Sequence, residues 1–443
     1  MIEFLAGFYA KSASVDPRDP SDPAVRRELR RRKWSVFFAI TGGYSFYYVC
    51  RLTFSVAKSS MADSGLFDAA ELGQIGSALL YAYAFGKLAN GILADRVNTR
   101  KFMATGLFVS GVINLTLGFT TAFWAFVVLW GMNGWFQSFG AGSSVVTITH
   151  WYDGKERGTF YGWWSISHNV GEALTYIATA VVISGFGWMW GFRAAGVLCI
   201  LMSILIWNFL YERPEAFGLP SAVREPVSST STQSIGQKQL AVFMNPAVWI
   251  LALSSASFYI TRYAINGWGV FFLEKEKGYS LIEAGSIVSV NAMAGIVATF
   301  FSGILSDKFF NGRRNVPALL FGIIYIIGIA LFMLGPANPT YDTIAMILFG
   351  MGVGALMVYL GGLMAVDICP KDVSGATLGA IGVASYIGAG TQEVISGKLI
   401  NDAAVIIDGE TIYNFDAVAL FWIGAAVVSL VLATFVWNAK SPD

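Results

Sequence analysis

A few ionisable side chains interrupt otherwise apolar stretches of this chain: Arg51, Lys87 and Arg262 are basic, Glu172 and Glu393 acidic, and His168 titratable. A charge at the centre of a lipid-spanning helix costs roughly 2.5–3.5 kcal/mol on insertion scales, so each is a functional candidate. Arg51 ends the tetrapeptide Tyr48-Val-Cys-Arg51, and Arg262 ends Tyr259-Ile-Thr-Arg262, 211 residues later. In a duplicated chain, a pseudo-two-fold axis along the membrane normal makes the two guanidinium groups converge on one central point. A guanidinium stays charged at any accessible pH and offers a planar fork of donors matched to phosphate oxygens, whereas a lone lysine is a more hydrated point charge. Two such forks facing each other in a low-dielectric cavity repel unless an anion lies between them, so the chemistry expected is binding of a dianion. The alternative is that each arginine snorkels outward or pairs with helix carbonyls.

Helical spacing supplies the neighbours. Tyr44, Tyr47 and Tyr48 precede Arg51 by seven, four and three residues, and Tyr259 and Asn266 flank Arg262 by three and four, which predicts an aromatic, hydrated wall around the pair. Packing is the competing role for tyrosines in a chain with 34 phenylalanines. Lys87 shares a face with Tyr83 and either adds charge to the site or stays tied to a helix-end carboxylate. His168 and Glu172 lie one turn apart, spacing that allows a protonation switch; a neutral histidine bonded to a backbone carbonyl is the other possibility. Gln392 and Glu393 leave proton coupling, a substrate hydroxyl contact and a pair with a basic side chain all open. Asp95-Arg96 with Arg100, and Asp307-Lys308 with Arg313 and Arg314, place a carboxylate before clustered bases at helix ends. Such groups can latch one conformation of a gate or simply anchor the inner face.

The elements that must position these residues follow from composition. Of 443 residues, 55% are hydrophobic and 13% charged, against about 25% charged in an average soluble domain, and 48 glycines lie largely within apolar runs. Twelve apolar segments are long enough to cross a hydrocarbon core of about 30 Å. They span approximately 34–57, 72–94, 102–119, 122–146, 160–183, 191–211, 247–273, 284–305, 315–335, 342–365, 374–398 and 417–437. The polar interval 212–246 divides them six and six. The predicted organisation is therefore an all-α polytopic membrane protein: a segment 1–33, a bundle 34–211, a linker 212–246, a second bundle 247–437 and a tail 438–443.

Basic residues concentrate on the cytoplasmic side. Arg26, Arg27, Arg30, Arg31, Arg32 and Lys33 precede the first segment, and alternate loops carry Arg96, Arg100, Lys101, Lys155, Arg157, Lys308, Arg313, Arg314 and Lys371. The opposite loops are read as holding Lys58, Lys275, Lys277 and Lys398, with Asp402, Asp408, Glu410 and Asp416 making the last of them acidic. Both termini are expected in the cytoplasm, and Met1 to Ala10 is read as an interfacial segment rather than a cleavable signal. Gly91-Ile-Leu-Ala-Asp95-Arg96 recurs as Gly303-Ile-Leu-Ser-Asp307-Lys308. Gly158, Gly162 and Gly171 share their spacing with Gly375, Gly379 and Gly388. With the arginine tetrapeptides, these matches predict two parallel, pseudo-symmetric six-helix bundles.

Other functions lack machinery in the sequence. Lys plus Arg (29) balances Asp plus Glu (28), so no basic field suggests nucleic acid. Cys50, Cys199 and Cys369 are scattered without disulfide or zinc spacing. No phosphate-binding loop, nucleophile elbow or zinc-protease helix is present, and no cofactor or catalytic role is expected.

The segments 42–51, Ala94-Asp95-Arg96, Ser165-Ile-Ser-His168-Asn-Val-Gly171, Arg262-Tyr-Ala-Ile-Asn266-Gly-Trp268 and Ser306-Asp307-Lys308-Phe-Phe-Asn-Gly-Arg313-Arg314 resemble the organophosphate:phosphate antiporter family of the major facilitator superfamily. The resemblance covers nearly all the chain, and Glu212-Arg213-Pro-Glu-Ala-Phe-Gly-Leu-Pro220 is most similar to the hexose-phosphate branch. It implies exchange of a sugar phosphate, with hexose 6-phosphate first, or a related organophosphate for inorganic phosphate by rocking of two bundles in the inner membrane. It also implies that Arg51 and Arg262 bind the phosphoryl group, and that Lys87, His168 and Tyr386 match family site positions. Leu52 stands where many members have lysine, Glu172 where many have glycine, and Glu393 has no recognised counterpart. Besides the bilayer, the expected partners are an organophosphate and inorganic phosphate. A receptor that binds the same compounds and signals to a sensor kinase is the alternative.

Overall fold

The computed structural model describes residues 7–222, 243–310, 314–369, 374–437 and 439. Twelve helical rods account for most of them, each begun by local chemistry. α1 (Pro23–Asp63) starts with Pro23 behind an Asp22 cap. α2 (Ala69–Ala94) has an Asp68/Glu71 capping box and α3 (Thr99–Leu117) an Asn98 cap, each supplying acceptors to backbone N–H groups that a helix start leaves unpaired. α4 comprises Phe123–Gln137 and Phe139–Trp151, broken at Ser138, whose hydroxyl accepts from Asn90 at 2.7 Å. α5 (Arg157–Phe186) and α6 (Trp188–Phe209) complete the first half.

The second half repeats the plan with α7 (Pro246–Lys275), α8 (Leu281–Phe309, with a Ser280/Glu283 capping box) and α9 (Asn315–Leu334). α10 runs through Pro339–Val358, a π turn at Tyr359–Leu363, and Met364–Asp367; α11 (Ser374–Asp402) and α12 (Asp416–Phe435) follow. Between α11 and α12, β1 (Val405–Ile407) pairs antiparallel with β2 (Glu410–Ile412). Asp408 and Gly409 turn this hairpin with φ of 53° and 86°, the left-handed geometry that an Asp-Gly pair favours. The all-α expectation holds, with one small exposed hairpin added in the loop read as merely acidic.

Two expected loop residues also move. α1 extends to Asp63 and α11 to Asp402, so Lys58 and Lys398 sit inside helices rather than in loops. Arg313 and Lys371, and most of the linker, lie outside the described residues, as does the side chain of Asp307. Seven rods, α5 to α10 and α12, meet a strict length and hydropathy criterion for membrane spans. α1 to α4 and α11 fall short because they carry polar groups or, in α4, a break.

The halves meet through α2 against α11, α5 against α8 and α1 against α7. Symmetry appears at the level of single atoms. A Cβ on Gly171 of α5 would lie 2.4 Å from the Ser45 carbonyl oxygen of α1, and one on Gly388 of α11 2.8 Å from the Ala256 carbonyl oxygen of α7. Ser45 and Ala256 are 211 residues apart, the spacing of Arg51 and Arg262. Outward faces are apolar, as in Leu198, Leu201 and Leu205 of α6.

Before α1, the chain lies across the ends of the first-half helices. The Lys101 ammonium donates to the Phe8 carbonyl at 2.8 Å, and Glu212 accepts from Ser12 N–H at 2.9 Å and the Asn98 amide at 2.7 Å. Close helix contact at Gly171 predicts that Gly171→Val destabilises the folded chain by about 1–3 kcal/mol. Thermal unfolding in detergent should place its midpoint below that of Gly162→Ala, where a Cβ meets nothing within 4 Å.

Candidate functional site

A cavity of about 520 Å³ lies between the halves. Arg262 and His168 line its inner end, and it runs to Gly91 and Asp95, at the end of α2 nearest the chain termini. Arg262 is 4% exposed, with its guanidinium carbon 5.6 Å from the Tyr259 ring centre and 5.5 Å from that of Tyr263. Lys87 enters from α2, its ammonium 5.4 Å from the Tyr386 ring.

Arg51 occupies a deeper layer. Also 4% exposed, it places its guanidinium 4.3 Å from the Tyr83 ring and 4.9 Å from the Tyr48 ring. Its Nη2 donates to Gln137 Oε1 at 3.4 Å, while Nε and Nη1 are buried without a hydrogen-bond partner. Rather than lining the open cavity beside Arg262, it borders a second, small pocket of about 30 Å³ with Tyr263, Asn266, Gly267 and Glu393. A layer of tyrosines separates the two spaces. Tyr83 packs on Tyr386 at 4.5 Å, and Tyr386 meets Tyr259 at 5.4 Å and Tyr263 at 5.7 Å. Tyr48 is 5.9 Å from His168 and Tyr44 is 5.1 Å from Trp164. The rings of Tyr48, Tyr83, Tyr259, Tyr263 and Tyr386 lie against the cations, which the negative ring face attracts.

Several expected positions lie elsewhere. Tyr47 turns into the first half, its hydroxyl donating to the Met103 carbonyl at 2.7 Å between Gly106 and Gly140. It is a packing residue, because its four-residue offset from Arg51 puts it on the flank that meets α3 and α4. His168 and Glu172 form no hydrogen bond or ion pair. His168 faces the cavity, whereas Glu172 is buried against Asn266 and the Arg262 charge on α7, with Oε2 unpartnered. The proximity switch expected from their spacing is therefore corrected. Asn266 borders the small pocket, and its backbone carbonyl accepts from Tyr176 at 2.8 Å. Gln392 points away, donating to Ser396 at 3.0 Å in the packing against α12.

Glu393 has a partner that sequence reasoning assigned to a loop: Lys58, fully buried, with its ammonium 2.6 Å from Oε2. The signal was available, since Lys58 follows Arg51 by seven residues and so continues its face. Tyr263 and Gln137 carried no such signal, one adjoining Arg262 in sequence and the other lying on α4. At the candidate gates, Asp95, Arg96 and Arg100 join no ion pair among the described residues; Arg100 lies 5.3 Å from the Trp207 ring. Lys308 is exposed, and Arg314 donates to Ser306 at 2.8 Å. Among the described residues, the cross-half ion pairs are at the other end, Lys58 with Glu393 and Lys275 with Asp63. The path is consequently open toward the termini and shut away from them.

Residues 36–391 match the Major Facilitator Superfamily. The chain is 31% identical over 442 residues to the probable hexose phosphate transport protein of Chlamydia pneumoniae, covering 95% of this chain and 94% of that one. It is 30% identical over 429 residues to the membrane sensor protein UhpC of Salmonella typhimurium, covering 94% of each. In fold, it superposes on the crystal structure of a bacterial homolog of the human lysosomal transporter Spinster, inward-facing and unoccupied, with a TM-score of 0.74, 16% identity and coverage of 92% of this chain and 97% of that one. The chain belongs to the major facilitator superfamily, on its organophosphate:phosphate antiporter branch.

Proposed function

We propose that the chain exchanges an organophosphate, hexose 6-phosphate first, for inorganic phosphate across the bacterial inner membrane by alternating access. The observation that carries this reading is Arg51: a buried guanidinium with two unpartnered donor nitrogens and, among the described residues, no carboxylate paired to it, one tyrosine layer from a second buried guanidinium. An anion supplies the missing acceptors. The cavity volume falls within the range of small-molecule sites, and its tyrosine, histidine and lysine groups suit a hydroxylated organic moiety beyond the phosphoryl group. Similarity to a relative named for hexose phosphate transport supports that substrate class.

In this reading residues 34–211 and 247–437 move as two bodies joined by 212–246, with both termini in the cytoplasm as the basic loops require. The structure is then the inward-open state. Arg262, Lys87 and His168 receive the anion from the cytoplasmic side. Rearrangement of the tyrosine layer brings Arg51 into contact, and the loaded site crosses more readily than the empty, doubly cationic one. Similarity to a named membrane sensor supports a second reading, in which the same site binds sugar phosphate and reports to a partner kinase. Labelled phosphate counterflow by the purified, reconstituted chain separates the two, since only a carrier performs it.

Lysine keeps the charge at either arginine but loses the fork, at a cost of roughly 1.5–3 kcal/mol for a charged hydrogen bond. Arg51→Lys and Arg262→Lys should each lower phosphate counterflow about 10- to 100-fold while eluting as folded monodisperse protein; wild-type counterflow in both would refute the assignment. Tyr47→Phe should leave phosphate half-saturation unchanged and lower the unfolding midpoint instead, through loss of about 0.5–1.5 kcal/mol from its bond to Met103.

A further inference from the structure

Lys58 differs from the other buried cations in where its partners come from. The hydrogen bond and the ring contacts of Arg51, to Gln137, Tyr48 and Tyr83, all lie within the first half, although Tyr263, Asn266 and Gly267 of the second half border the same small pocket. Lys58 lies on the same face of α1, two turns further from the termini, yet its ion-pair partner Glu393 is on α11 and the Trp268 ring 3.7 Å from its ammonium is on α7. Both belong to the second half. On its own helix it has the Phe54 ring at 5.5 Å. Separation of the halves at this end therefore leaves Arg51 its hydrogen-bond and ring partners but strips Lys58 of its anion and of its closest aromatic face.

The seat for Glu393 is built. A Cβ on Gly267 would lie 2.0 Å from Oε1, and one on Gly76 2.7 Å from Oε2, so a backbone from each half leaves room for this carboxylate. The same carboxylate closes the small pocket that borders Arg51. It thus occupies, on the far side of Arg51, a position where an anion entering from that side would meet Lys58 before Arg51.

We propose that Lys58 is the outer anion-receiving residue of the transport path, and that Glu393 is its tethered counter-anion, bound to Lys58 while the path is shut and withdrawn with α11 when it opens. This rests on the antiport reading above. An arriving phosphate replaces the departing carboxylate, so the ammonium passes from one anion to another and the stripe from Lys58 to Arg51 hands the anion inward.

The test uses the full chain in right-side-out vesicles, with Ser55→Cys in the pocket wall as a reporter for a membrane-impermeant maleimide. Cys50, Cys199 and Cys369 are buried, and the parent chain gives the background. Glu393→Gln should raise the labelling rate about tenfold, and external inorganic phosphate should slow it again. The reversed pair Lys58→Glu with Glu393→Lys should restore the slow labelling but raise the half-saturation for external phosphate about tenfold, because the cation then withdraws with α11. Recovery of both properties in the reversed pair would reduce Lys58 and Glu393 to a latch and overturn the proposal, as would labelling unaffected by Glu393→Gln or by phosphate. Labelling reads closure and binding without turnover, so its failure counts against this pair, whereas absence of counterflow by the unaltered chain counts against transport.

Discussion

Two guanidinium groups are held within a lipid-spanning bundle, and neither is neutralised by an ion pair among the described residues. Burying such charges costs several kcal/mol each even after relaxation. Aromatic faces offset part of that cost: Tyr48 and Tyr83 beneath Arg51, Tyr259 and Tyr263 beside Arg262. Cation–π contacts contribute about 0.5–2 kcal/mol each and do not use the N–H donors. This combination leaves the cations tolerable in the empty protein while keeping donors available. A carboxylate at the same place would satisfy the arginines and abolish the site.

The carboxylates that do enter the interior are kept out of that role by packing. Glu393 is drawn to Lys58, in a seat opened by Gly76 and Gly267, and Glu172 is set against Asn266 and Arg262 without forming an ion pair. Removing one member of a buried pair leaves the other uncompensated, which makes Lys58 and Glu393 a stringent constraint on how far α1 and α11 can separate. At the opposite end no described ion pair bridges the halves through Asp95, Arg96 or Arg100, and there the cavity continues outward.

Internal symmetry governs the scaffold more strictly than the site. The Gly171–Ser45 and Gly388–Ala256 contacts repeat between halves because close helix approach depends on backbone shape and a missing Cβ, which duplication preserves. Arg51 and Arg262 repeat in sequence yet sit in different layers, one on the floor beside a small pocket and the other on the wall of the open cavity. One conformation of an alternating-access protein is necessarily asymmetric across its central plane.

Twelve apolar segments and the arginine pair were legible in the chain because hydropathy, spacing and repetition are one-dimensional signals. The Asp-Gly turn of the hairpin was legible too, though it was read only as an acidic loop. Spacing placed Tyr44 and Tyr48 correctly toward the cavity but misplaced Tyr47, since a helix face more than 100° wide can meet both a cavity and a neighbouring helix. It paired His168 with Glu172 along one helix, where the nearer groups come from α1 and α7. Sequence alone therefore determined most of the residues that carry charge into the apolar segments and on which helices, Lys58 being the exception. Only the tertiary structure decided which charges neutralise one another, as with Lys58 and Glu393, because that depends on contacts between helices 335 residues apart, for which the chain holds no local record.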